Sequence, residues 1–118
     1  MHRVLLSFTL LALTAVLLAA AANEAIGTWD VTSSANEGNE MNWTLVIKED
    51  GGKLTGTISG EPGDFTLEDV KVDGHTLTFK ITIDAETYSS EVKISDGKLE
   101  GGYKGTSVKG TLKGTKKS

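Results

Sequence analysis

Few residues in this chain could do catalytic chemistry, and their spacing argues against it. Nucleophilic catalysis needs a serine or cysteine beside a base, but cysteine is absent and His75 is the one histidine beyond His2. It follows Asp73-Gly74, a turn sequence, where a solvated side chain is the expected role. One histidine without cysteine cannot assemble a zinc site, and no spaced Asp-x-Asp-x-Asp-Gly loop offers calcium its oxygens. The adjacent carboxylates Glu49-Asp50 and Glu68-Asp69 would point to opposite faces of a strand. The expectation is a protein that is no enzyme, with no metal site and no cofactor.

Binding is better supplied. Met41, Trp43, Ile58 and Phe65 in the first half of the chain, and Ile81, Ile83, Tyr88, Ser90, Tyr103 and Val108 in the second, alternate with polar neighbours. Brought onto one inner surface, they would make an apolar wall with two phenols and a hydroxyl, the mix that suits a small-molecule site. Glu37, Glu40, Glu61, Asp64, Asp84 and Glu86 fall in the segments between these runs and would set a negative rim around its mouth. Such a mouth disfavours free carboxylates and prefers neutral or cationic ligands.

The elements that must position these residues are strands. Apolar and polar residues alternate over Gly27–Ser33, Asn42–Glu49, Lys53–Ser59, Phe65–Val72, His75–Ile83, Thr87–Ser95, Lys98–Lys104 and Ser107–Lys113. In the fourth run the phase slips from Phe65 and Leu67 to Val70 and Val72, which predicts a β-bulge near Glu68-Asp69. Asp50-Gly51, Asp73-Gly74 and Asp96-Gly97 recur every 23 residues, and Asp-Gly is a strong hairpin signal because both residues tolerate positive φ. Eight short strands in even hairpins, without the long connection of a Greek key, predict an all-β, eight-stranded antiparallel up-and-down barrel, since only closure removes both sheet edges. Inward glycines at Gly56, Gly101 and Gly110 suit its tight curvature. The Asp-Gly turns and both chain ends fall at one end, with Lys53, Lys98, Lys113, Lys116 and Lys117; the acidic segments fall at the other.

Bulk properties narrow the function class. Met1-His2-Arg3 is followed by a stretch without charge from Val4 to Ala22 that ends in alanines, the pattern of a secretory signal peptide over residues 1–22 with cleavage before Asn23. About 96 residues remain, 23–118, for a single domain with a short lysine-rich tail. Export without cysteine suits a bacterial periplasmic or secreted protein better than a small eukaryotic one stapled by disulfides. That domain carries 16 acids against 11 lysines and no arginine, which excludes a nucleic-acid or anionic-membrane surface. Asn42-Trp43-Thr44 matches a glycosylation sequon but opens a strand.

Gly27-Thr28-Trp29, at the start of the first strand, resembles the Gly-x-Trp motif of the calycin superfamily, the lipocalins and avidins. The run Gly52-Lys53-Leu54-Thr55-Gly56-Thr57 is similar to the second hairpin of avidins. The resemblance implies an eight-stranded barrel whose bottom is closed by Gly27 and Trp29, of the kind found in small secreted lipocalin-like bacterial proteins. Val31 and Thr32 stand where avidins carry biotin-binding polar residues, so biotin is not the implied ligand. Lipocalins cross their tryptophan with a late arginine, a role only Lys113 or Lys116 could take here, and their Thr-Asp-Tyr motif is missing. Two functions are therefore expected: a barrel binding a small hydrophobic or amphipathic ligand at the rim end of its lumen, or a solid barrel whose acidic loops make it an inhibitor or adaptor of another exported protein.

Overall fold

The computed structural model describes residues 24–35 and 39–118. The signal segment 1–22, Asn23 and Glu37 of the rim lie outside the described residues. Nine strands form one antiparallel sheet: β1 (Gly27–Ala35), β2 (Glu40–Asp50), β3 (Lys53–Gly60), β4 (Gly63–Thr66), β5 (Glu68–Asp73), β6 (Thr76–Ile83), β7 (Glu86–Ser95), β8 (Lys98–Lys104) and β9 (Lys109–Lys116). Their order is β4-β3-β2-β1-β9-β8-β7-β6-β5. Strands adjacent in sequence pair except at β4–β5, and β1 pairs with β9, giving an up-and-down, nearly closed barrel.

The ninth strand is the expected fourth one divided in two. Its first half, β4, pairs with β3; its second half, β5, pairs with β6. The chain thus passes from one side of the barrel seam to the other. The register slips between Glu68 and Lys71, and Asp69 takes φ 51, which is the bulge the broken alternation predicts. That kink leaves Glu68 and Asp69 both exposed, so the alternation that would separate adjacent carboxylates fails here. Glu68 Oε2 accepts the Thr82 hydroxyl at 2.9 Å, and the Leu67 amide donates to the Gly56 carbonyl at 2.9 Å, both tying the seam.

The three Asp-Gly pairs do not turn alike. In the first, Gly51 (φ 62) and Gly52 (φ 82) form the two-residue loop, so Asp50 drops back into the ladder opposite Lys53. In the second the loop is Gly74-His75, with positive φ only at Gly74. Only Asp96 (φ 52) and Gly97 (φ 72) place both members of the pair in the left-handed region. At the opposite end Asp84 (φ 51) and Ala85 (φ 69) make the same tight turn without glycine.

Inward positions of every strand meet in one core that holds Val31, Leu45, Ile47, Leu77, Val92, Ile94, Leu99 and Leu112. Strands cross closely enough that a Cβ on Gly101 would strike the Glu91 carbonyl and the Val92 backbone; Gly56 and Gly110 meet the Val46 and Ser34 carbonyls in the same way. Trp29 is 0% exposed. Its Nε1 donates to the Ala25 carbonyl at 2.9 Å, and the Lys116 ammonium lies 5.6 Å from its ring centroid. Of the two lysines considered for that position, Lys116 and not Lys113 lies over the ring. Beside it, Gly27 has φ 141, and a Cβ there would come within 2.5 Å of the Ser118 carbonyl.

The lysine-rich end is not a loose tail, because β9 runs to Lys116, beyond the expected stop at Lys113. After it, Lys117 donates its amide to the Thr28 carbonyl at 2.7 Å and Ser118 accepts from the Thr28 amide at 3.0 Å.

Two stability outcomes follow from this packing. Trp29→Ala should lose roughly 3–5 kcal/mol, as for other buried aromatic truncations, in a denaturant melt; a loss below about 1 kcal/mol, far under that penalty, would mean the ring does not seal the barrel. Ala85→Gly should gain about 0.5–1 kcal/mol, because relief of a left-handed non-glycine residue outweighs the entropy glycine adds to the unfolded chain.

Candidate functional site

At the rim end the strands bring the expected lining residues into two groups. On β2, β3 and β4, Met41, Trp43 and Phe65 are half-buried and Ile58 is buried. Ile58 and Phe65 are cross-strand partners, and the Trp43 and Phe65 rings meet edge-on with centroids 6.4 Å apart. On β6, β7 and β8, Ile81 pairs with Tyr88 and Ser90 with Tyr103, and the two phenol rings also meet edge-on at 6.4 Å. Edge-to-face geometry sets the positive ring edge of one against the negative face of the other. Ile83 is half-buried beside these groups.

Val108 does not join them. It sits in the turn between β8 and β9 at 39% exposure, where its carbonyl accepts the Gly105 amide at 2.7 Å. The alternation that would turn it inward stops before β9 begins at Lys109.

Polar atoms inside the wall are satisfied by position. Trp43 Nε1 donates to Ser33 Oγ at 2.9 Å, a partnership not expected from the sequence and set by the β1–β2 register, which pairs Val31 with Trp43 and Ser33 with Met41. Trp43 also depends on the missing side chain of Gly60, whose Cβ would come 2.6 Å from the indole ring. Ser90 is buried between its cross-strand partners Phe79 and Tyr103.

Of the described rim acids, Glu40, Glu61, Asp64 and Asp84 are exposed and Glu86 is half-buried. Glu86 Oε2 accepts the Thr106 amide at 2.7 Å and so joins the β6–β7 and β8–β9 turns. Glu40 Oε2 lies 3.4 Å from the Ser34 hydroxyl. Burial, and then the neighbouring Glu86 carboxylate, push the Tyr88 phenol above its ordinary value. His75 is in the turn, its Nδ1 2.8 Å from Glu24 Oε2. Among the described residues no three His, Cys, Asp or Glu side chains converge as a metal set.

Two concavities lie outside the lumen. One, of about 820 Å³, runs over the outer wall of β5 to β9, among Thr78, Lys80, Ser89, Glu91, Gly102 and Lys104. Another, of about 360 Å³, lies over β1 to β3 beside Asp30, Thr32, Asn42 and Thr44. Neither is legible from single-strand alternation, which marks outward residues only as polar.

No family model and no curated protein matches this sequence. Solved structures do share its fold. A redesigned β-barrel superposes with a TM-score of 0.71 at 16% identity, over 83% of this chain and 96% of that one. A mutant of the fluorescent protein UnaG superposes with a TM-score of 0.53 at 20% identity, over 81% of this chain and 98% of that one. The likeness shows the fold, an antiparallel β-barrel.

The Tyr88 environment generates an alkaline signature. A phenol raised in the folded state holds its proton where the unfolded chain has lost it. Its contribution to stability is therefore full below about pH 10 and is lost as pH rises through the folded value. In a Tyr103→Phe variant, which leaves Tyr88 as the single tyrosine, phenolate absorbance should rise only above the ordinary tyrosine range. Glu86→Gln should bring the midpoint down part of the way, since burial is the larger cause. A midpoint at or below the ordinary value would contradict this environment.

Proposed function

We propose that this chain is an exported binding protein, not an enzyme, that takes a small hydrophobic or amphipathic molecule, neutral or cationic, into the rim end of its barrel. The observation that carries the reading is the contrast between the two ends. Around Trp29 the side chains of Ala25, Ile47, Leu77, Ile94 and Leu99 are sealed from water, with Leu54 and Val72 half-buried at the margin. At the rim, Met41, Trp43, Phe65, Ile83, Tyr88 and Tyr103 stay half-buried, a convergent apolar and aromatic surface of the kind that small ligands complete. Exposed carboxylates around it favour a neutral or cationic guest over an anion. The uncharged amino-terminal stretch supports export, with a chain starting at Asn23 as its expected product.

A second reading is favoured by the position of both concavities on the outside. In it the lumen stays filled by its own rings, as eight-stranded barrels often are, and the protein acts through Glu40, Glu61 and their neighbours as an inhibitor or adaptor for a basic exported partner.

Titration with neutral N-phenyl-1-naphthylamine, cationic berberine and a fatty-acid anion, followed by tryptophan emission, separates the two. Trp43 should respond while Trp29 supplies a constant background. The neutral and cationic probes should bind below millimolar and the anion more weakly. Tyr88→Ala should loosen the bound probes about tenfold, the value of one lost aromatic contact. If no probe binds below millimolar, the lumen reading fails. The second reading then gains only if a basic exported protein is captured at low salt and lost when Glu40 and Glu61 become glutamine.

A further inference from the structure

We propose that the groove over the outer wall of β6 to β9 binds a linear acidic saccharide, one whose sugars carry isolated carboxylates among free hydroxyls. The site is separate from the lumen and does not depend on its occupancy. The strand register builds it: Lys80 pairs with Ser89, Ser89 with Lys104, and Lys104 with Lys109. These four residues, from four strands, therefore stand in one row on the outer face. At about 4.8 Å between strands the row is roughly 14 Å across, long enough for a short oligosaccharide, and the groove it borders has a volume of about 820 Å³.

The charges in this row are arranged at a cost. Lys104 and Lys109 are directly opposite each other and both exposed, and like charges opposite one another in a sheet are destabilising. Among the described residues neither has a carboxylate within 4 Å, whereas Lys80 has Asp69 at 3.8 Å. A chain with 16 acids and a net charge of −4 has left two cations facing each other without a counterion. A bound carboxylate between them would supply one.

The next row identifies the rest of the ligand. There Glu91 pairs with Gly102, and Gly102 with Thr111, so the floor of the groove is bare backbone flanked by a carboxylate and a hydroxyl. Glu91 faces Thr78 and Gly102 with no cation opposite it, whereas Glu100 stands between Lys93 and Lys113. Glu91 therefore accepts hydrogen bonds from hydroxyl groups and disfavours nucleic acid and heavily sulfated chains, whereas a uronate polymer offers both groups the groove is built to receive.

Calorimetric titration of the full chain with tetragalacturonate, its neutral methyl ester, a heparin-type oligosaccharide and a short oligodeoxythymidine tests this assignment. Tetragalacturonate should bind with an affinity that falls as salt rises, the ester at least about tenfold more weakly, and the two dense polyanions no better than the ester. Replacing both Lys104 and Lys109 by glutamine should weaken tetragalacturonate binding by about tenfold or more. The same variant should keep or raise the melting temperature and should leave lumen probes unaffected. No binding of tetragalacturonate, equal binding of the ester, tighter binding of either dense polyanion, or full binding by the double variant would each overturn the proposal.

Discussion

The burial of Trp29 constrains everything else in this molecule. An indole fully removed from water must bury its N–H with an acceptor or lose the cost of an unmade hydrogen bond. The Ala25 carbonyl meets that need, which requires the segment before β1 to fold back beneath the barrel. Lys116 over the ring face and Ser118 against Gly27 then require β9 to run past the expected end of its strand. Because β9 pairs with β1 across the join between the chain ends, the same contacts that seat the tryptophan hold the sheet in its curled form. One ring, its acceptor and its cation link both ends of the described domain.

Sealing one end with side chains leaves the other to different rules. Five connections in the sheet are tight two-residue turns, two of them, Glu61-Pro62 and Asp84-Ala85, at the rim, and the inward aromatic residues there pack on each other and remain partly in water. Two edge-on ring pairs and a Trp43–Ser33 hydrogen bond organise that surface without closing it. The outer wall follows from the same curvature. Glycines that let β7, β8 and β9 approach closely also strip the outer face of side chains at Gly102, and lysines on neighbouring rows are left to border the resulting groove.

The strands were legible because each carries its own period-two pattern, and the bulge was legible because Phe65, Leu67, Val70 and Val72 break that pattern within one run. Trp29 was legible as a seal from Gly27-Thr28-Trp29. What alternation could not reach were properties of register and of competition between neighbours. Asp50-Gly51 loses its turn to Gly51-Gly52 because two adjacent glycines accept positive φ at lower cost than Asp does. Val108 has the phase of a lining residue, yet it precedes the strand. The lysine row joins residues 80, 104 and 109, which no local window contains. The rim lining was legible as a set of residues, but its division into a Trp43–Phe65 group and a Tyr88–Tyr103 group depends on which strands adjoin at the seam.

Residue-resolved native-state hydrogen exchange measures the asymmetry between the ends most directly, since it separates local opening from global unfolding. Amides of Trp29, Leu45 and Leu99, in the sealed half, should exchange only with global unfolding and share one free energy. Those of Phe65, Ile83 and Tyr103 should exchange through smaller local openings that denaturant barely affects. Uniform protection from one end to the other, or faster exchange around Trp29 than around Tyr103, would contradict a barrel anchored at one end and open to a ligand at the other.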